Sequence, residues 1–249
     1  GKMVAVWDDH ITATATTPRE TFANQYDGAS WRGEELVTDT AATAAEGRLG
    51  NRYSTAAIDG NSNIYVIYNI NRASADTLPR TIVVHKKAWD DLWTPTPAAV
   101  IASHPTVGMR SVSAACDSSN VLHLAFRRDA DYDETGLDEI AYTYSPDGGM
   151  SWSVPIVLSR IGYDAGYVTM SNRVGRAYGI DIAWRESADS LQLDQGTQAI
   201  LYANVPYNVS SADQIPAPLV FRIEQNYPNP FNPATVIPYE LTRQDQVSL

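Results

Sequence analysis

One cysteine stands among 249 residues, so the chain has no disulfide framework and no cluster for a thiolate metal site. Cys116 lies in the apolar run SVSAAC and reads as a small buried hydrophobe. Basic residues are scarce as well: 18 Lys and Arg against 29 Asp and Glu leave a net charge of -11. No block of positive charge could follow a phosphate backbone or an anionic membrane, which excludes nucleic acid as the expected partner. Nothing approaches the roughly 18 consecutive apolar residues of a spanning helix, so no transmembrane segment is expected. The opening GKMVAVWDDH lacks the charged, apolar and small-residue regions of a signal peptide, which places any export signal outside these residues. Sustained helical periodicity is missing too, and helix content should be small. The histidines His10, His85, His104 and His123 show no metal-ligand spacing, and no G-x-S-x-G elbow supports a serine hydrolase.

What is present is repetition. With 44% hydrophobic residues the chain can bury a large core, and its apolar runs recur. STAAIDGNSNIYVIY (54–68) aligns with the stretch 111–126 at a constant offset of 58, placing Asp59 on Asp117, Tyr65 on His123 and Tyr68 on Phe126. A further step of 58 brings Leu124, Ala125 and Phe126 onto Ile182, Ala183 and Trp184, and VAVWDD near the N-terminus matches the same strand. Within the third copy, SVSAAC, VLHLAFRR, EIAYTYS and VPIVLS are short β-rich runs separated by Asp, Ser, Asn, Gly or Pro. Each copy therefore reads as a four-stranded antiparallel meander. One such sheet cannot cover both its faces and must pack against its neighbours, so the expected fold is all-β, a β-propeller fragment of about four blades. The alternative, a β-sandwich, does not require the constant offset. The chain begins at what should be a second strand, and the last copy shows three obvious strands. We therefore expect a piece of a larger propeller rather than a closed four-bladed ring, with blades over 1–207, a linker over 208–223 and a further module over 224–249.

Two constellations could bind ligands. G-x-R-x-x-x-A-A-x-D occurs at 50–59 and 108–117, placing Arg52 and Arg110 at equivalent points just before the innermost strand, with Val168 at that position in the fourth copy. Two guanidiniums there could hold a carboxylate or sulfate of a glycan; alternatively each pairs with an aspartate of the adjacent blade. In DADYDETGLDE (129–139), Asp129, Asp131 and Asp133 have the alternate spacing of a calcium loop, although Glu134 stands where such a loop wants glycine. The other reading is a solvated acidic loop.

Ser145, Asp147, Gly149 and Trp152 fit S-x-D-x-G-x-x-W. A weaker copy keeps Asp27, Gly28, Ser30 and Trp31, while the second repeat keeps only Trp89 or Trp93. The pattern reads as a hairpin lock, with the carboxylate accepting backbone N–H groups and glycine supplying positive φ. It resembles the Asp-box of sialidase-like (BNR) propellers, which implies a structural motif between the third and fourth strands of a blade, away from the catalytic face. Catalysis of sialidase type would require an arginine triad, a tyrosine–glutamate pair, an aspartate acid/base and an F/Y-R-I-P motif. FRIE (221–224) lacks the proline and lies at the wrong end, so no residue here is assigned as catalytic.

The C-terminal run Asn226, Tyr227, Pro228, Asn229, Pro230, Phe231, Asn232 and Pro233 is followed by the strand-like TVIPYEL and QVSL. It resembles the opening of the type A C-terminal sorting domain of the type IX secretion system, an Ig-like β-sandwich. That resemblance implies the secretion machinery as partner and an extracellular or outer-membrane-surface location. The expected role is recognition or scaffolding outside the cell, with a glycan or protein as ligand and no cofactor other than the calcium considered above. The alternative is a sialidase-type glycoside hydrolase whose catalytic residues sit partly in further N-terminal blades.

Overall fold

The computed structural model describes residues 1–10, 19–38, 50–71, 80–94, 97–104, 108–129, 137–172, 174–175, 179–187, 198–206, 221–223, 236 and 239–240. Among these residues there are strands and turns and no helix. The strands are β1 (Met3–His10), β2 (Arg19–Tyr26), β3 (Trp31–Leu36), β4 (Gly50–Ile58), β5 (Asn63–Asn71), β6 (Arg80–Ala88), β7 (Ala99–His104), β8 (Gly108–Cys116), β9 (Leu122–Asp129), β10 (Glu139–Ser145), β11 (Ile156–Val157), β12 (Asp164–Met170), β13 (Ile180–Ser187), β14 (Gln198–Val205), β15 (Phe221–Ile223) and β16 (Tyr239–Glu240).

The third repeat forms one sheet in the order β11-β10-β9-β8. The first two repeats depart from the expected separate meanders. A single parallel pairing, Arg19 with Gly50, joins β1-β2-β3 to β4-β5-β6-β7 in one seven-stranded sheet. The fourth repeat is longer than its sequence suggests. Phe221–Ile223, at the end of the span read as a linker, pairs with β14, and Tyr239–Glu240 pairs with it in turn. An open strand edge carries a row of unpaired N–H and C=O groups, and the short FRI segment satisfies part of it.

Burial explains why the apolar runs differ. In β5 the five residues Ile64, Tyr65, Val66, Ile67 and Tyr68 are all buried, because alternate side chains enter different cores. Ile64, Val66 and Tyr68 pack toward Val4, Val6 and Ala23 of the first repeat. Tyr65 and Ile67 pack toward Leu122, Leu124 and Phe126 of the third. A sheet covered on both faces reads as a continuous hydrophobic run. In β13 burial instead alternates, with Ile180, Ile182 and Trp184 facing the third repeat. The aromatic position shared by Tyr68, Phe126 and Trp184 is fully buried in each of these repeats. Burying one such ring contributes about 1.5–3 kcal/mol.

The first strands of successive repeats converge, β4 packing on β8 and β8 on β12. Each carries a β-bulge, between Arg52 and Thr55, between Arg110 and Val112, and between Gly166 and Thr169. The pairing register of β12 corrects the constant offset. Gly166 pairs with Arg185 as Arg110 pairs with Arg127, so Gly166 rather than Val168 is the structural counterpart of Arg110. Val168 is buried within the core between the third and fourth repeats.

Candidate functional site

Antiparallel connection gives the sheets two chemically different ends. The β4–β5, β8–β9 and β10–β11 turns lie at one end; the β9–β10 and β11–β12 connections lie at the other.

At the turn end each carboxylate serves its own hairpin. Asp147 Oδ1 accepts from the backbone N–H of Met150 at 3.0 Å and of Ser151 at 2.9 Å, and from Ser145 Oγ at 2.8 Å. Asp147 Oδ2 accepts from Ser151 Oγ at 2.5 Å, Ser145 Oγ accepts from Gly149 N at 2.7 Å, and Trp152 Nε1 donates to Gly149 O at 3.1 Å. The Ser151 hydroxyl and N–H, followed by Ser145, hold the Asp147 carboxyl down to a pKa of about 2. A carboxylate so engaged closes a turn. Gly148 and Gly149 have φ of +73° and +94°, and a Cβ on Gly148 would lie 3.0 Å from Tyr65 Oη, so this turn is wedged against the second repeat. Asp27 repeats the arrangement in smaller form, accepting from Ala29 N at 2.8 Å and Ser30 N at 2.9 Å. In the second repeat, Trp89 is buried and its carbonyl accepts from Gln25 Nε2 at 2.7 Å.

Asp59 and Asp117 close the turns after β4 and β8 in the same way. Asp59 Oδ1 accepts from Asn61 N at 2.9 Å and Asn63 N at 2.8 Å; Asp117 Oδ1 accepts from Ser119 N at 2.8 Å and Val121 N at 2.9 Å. Tyr65 Oη donates to Asp59 Oδ2 at 3.0 Å, and at the matching place His123 Nε2 lies 3.5 Å from Asp117 Oδ2. Burial lowers the pKa of His123, whose Nδ1 lies 2.8 Å from Tyr142 Oη. Beside these turns, burial and then the charges of Asp59 and Asp117 push the Cys116 thiol up to about 12, which leaves it an unreactive thiol.

The opposite end ties repeats together. Arg127, near the end of β9, bonds Asp138 and stands 4.0 Å from Asp164 Oδ1 at the start of β12; Asp164 Oδ1 also accepts from Asp138 N at 3.1 Å. Glu186, at the end of β13, accepts from Arg160 Nε at 2.7 Å, Arg160 N at 2.9 Å and Trp184 Nε1 at 2.9 Å. Glu20 accepts from the Thr38 hydroxyl and from Asn51 Nδ2 at 3.2 Å. These carboxylates are nearly inaccessible to water. No local motif marks them, because their partners, Trp184 beside Glu186 excepted, lie 11 or more residues away. The recurrence of Arg127 at Arg185 is the one visible signal.

Arg52 and Arg110 each occupy the residue before a bulge, opposite Asn69 and Arg127 respectively. Their side chains lie outside the described residues. Asp129 ends β9, its side chain likewise undescribed, and Asp131 and Asp133 fall outside the described residues, as do residues 226–233. Among the described residues no three His, Cys, Asp or Glu side chains gather as a metal site.

No family model matches the chain, and no curated protein matches it. Solved structures do. The chain is similar to the Hadza microbial sialidase Hz136, with TM-score 0.56 and 11% identity, over 97% of this chain and 54% of that one. It is also similar to the Penicillium chrysogenum α-L-arabinanase complexed with arabinobiose, with TM-score 0.60 and 12% identity, over 90% of this chain and 63% of that one. The chain thus spans less than two thirds of either protein. At such low identity the likeness concerns the fold alone, and that fold is a β-propeller of sialidase- and arabinanase-like type.

Proposed function

We propose that this chain is part of an extracellular carbohydrate-recognition module built on about four blades of a larger β-propeller. The observation that carries the reading is the fold shared over 97% and 90% of the chain with a sialidase and an arabinanase. Recognition is favoured over hydrolysis because four of the described carboxylates at the far end, Asp138, Asp164, Glu186 and Glu20, are buried and committed to neighbouring donors. A general acid or a nucleophile must instead reach the scissile bond. Arg52 and Arg110 are the candidate contacts for an acidic group on the glycan, and Asp129, Asp131 and Asp133 the candidate calcium ligands. The Asn-Pro-rich match at residues 226–233 supports export through the type IX secretion machinery to the outer-membrane surface or beyond.

Calorimetric titration with sialyllactose and arabino-oligosaccharides, run beside a glycoside-release assay on the same sugars, tests this function. Binding without release is the expected outcome. Release at a steady rate would favour the sialidase-type hydrolase, and absence of both would overturn the carbohydrate reading.

A further inference from the structure

We infer that Tyr53 and Tyr167 form an aromatic platform against which sugar rings of a bound glycan stack, an inference that rests on the carbohydrate reading above. Both tyrosines sit in the bulges of first strands, β4 and β12. Both have left-handed backbones, with φ of 57° and 55°. The same bulge in β8 carries Ser111 at φ 43°. A left-handed conformation places Cβ against the following carbonyl, which makes it uncommon for any residue but glycine, asparagine or aspartate. Three repeats hold this conformation at equivalent places, and two of them do so with a bulky aromatic.

The conformation has a consequence for aim. A bulge turns its side chain out of the regular alternation of the strand, and here the rings stay 45% exposed for Tyr53 and 59% for Tyr167. Burial therefore does not compensate the backbone strain. Both tyrosine-bearing bulges are braced: Asp8 Oδ2 of β1 accepts from Ser54 N at 3.1 Å, and the guanidinium of Arg185, on the paired strand β13, lies 4.3 Å from the Tyr167 ring centroid. Because β8 packs against both β4 and β12, the order across the converging strands is aromatic, small, aromatic. Strain held at an exposed position by surrounding contacts is characteristic of a ligand clamp. A tyrosine face is apolar and its hydroxyl polar, which matches a sugar ring with its C–H face and hydroxyl rim.

The test uses the full chain and the titration with sialyllactose and arabino-oligosaccharides, comparing Tyr53→Ala, Tyr167→Ala, the Phe variants and the Gly variants. We expect each Ala or Gly variant to lose about tenfold or more in affinity, as truncation of a stacking aromatic does. The Phe variants should stay within about threefold of wild type, since they retain the ring. The thermal midpoints of the Gly variants should equal or exceed that of wild type, because glycine relieves the left-handed strain. Wild-type binding with unchanged affinity in the Ala variants would overturn the platform and leave the carbohydrate reading standing. Weaker binding accompanied by lower midpoints in the Gly variants would make the tyrosines structural and overturn it equally. No binding by wild type would overturn both.

Discussion

The two ends of these sheets use the same side chains for different work. At the turn end, Asp147, Asp59 and Asp117 accept backbone N–H groups from residues two to four places along their own hairpins. At the opposite end, Asp164 and Glu186 bond groups 26 residues away on another connection. A local carboxylate sets the shape of one hairpin, whether it is exposed like Asp147 or buried like Asp59 and Asp117. A carboxylate whose partner is distant in sequence couples two connections instead, and its burial makes the loss of that partner costly.

The largest expected effect comes from breaking the coupled end. Arg127→Met leaves Asp138 and Asp164 buried without their cation, and should lower unfolding free energy in urea by about 3–5 kcal/mol. A loss no greater than that of an exposed arginine would erase the distinction between the two ends. The turn end should respond less, and unequally. Gly148→Ala and Gly28→Ala both force a Cβ onto a positive-φ backbone, costing about 1–2 kcal/mol each. Gly148→Ala also drives that Cβ toward Tyr65 Oη, which is fixed by its bond to Asp59, whereas Gly28 has only Gly1 backbone atoms at 3.8 Å or beyond. The Gly148 variant should therefore be the less stable by about 1 kcal/mol more, as thermal unfolding of the two proteins will read.

The smallest effect sharpens the comparison through pH. The folded pKa of Asp147 is about 2 against an ordinary 3.8. Its depression means that the stabilisation is fully present above about pH 4 and is lost as pH falls toward about pH 2. Asp147→Asn should thus unfold at a lower midpoint than wild type at pH 6, and the gap should close by about pH 2. A gap that persists at low pH would mean that the turn depends on the shape of the side chain and not on its charge.

Much of this architecture is legible from the residues because its information is local. The run Ile64, Tyr65, Val66, Ile67, Tyr68 announces a strand covered on both faces, and its recurrence at Leu122–Phe126 announces a second sheet against the first. S-x-D-x-G-x-x-W encodes bonds that span at most four positions. The convergence of Arg127, Asp138 and Asp164 has no such signature, since those residues meet only after two sheets have packed. The slip from Val168 to Gly166 is likewise invisible, because the chain between the paired positions Gly166 and Arg185 is longer than that between Arg110 and Arg127, while the second strands keep the constant offset.

Neighbouring residues alone are enough to specify a repeated all-β chain with carboxylate-closed turns, because strand periodicity and turn chemistry act over short stretches. Folding in three dimensions is what puts the first two repeats in one sheet, adds FRI to the last one, and leaves Tyr53 and Tyr167 exposed on strained bulges. Those outcomes depend on which strand edges and faces meet, and that is settled by packing between residues far apart in the chain.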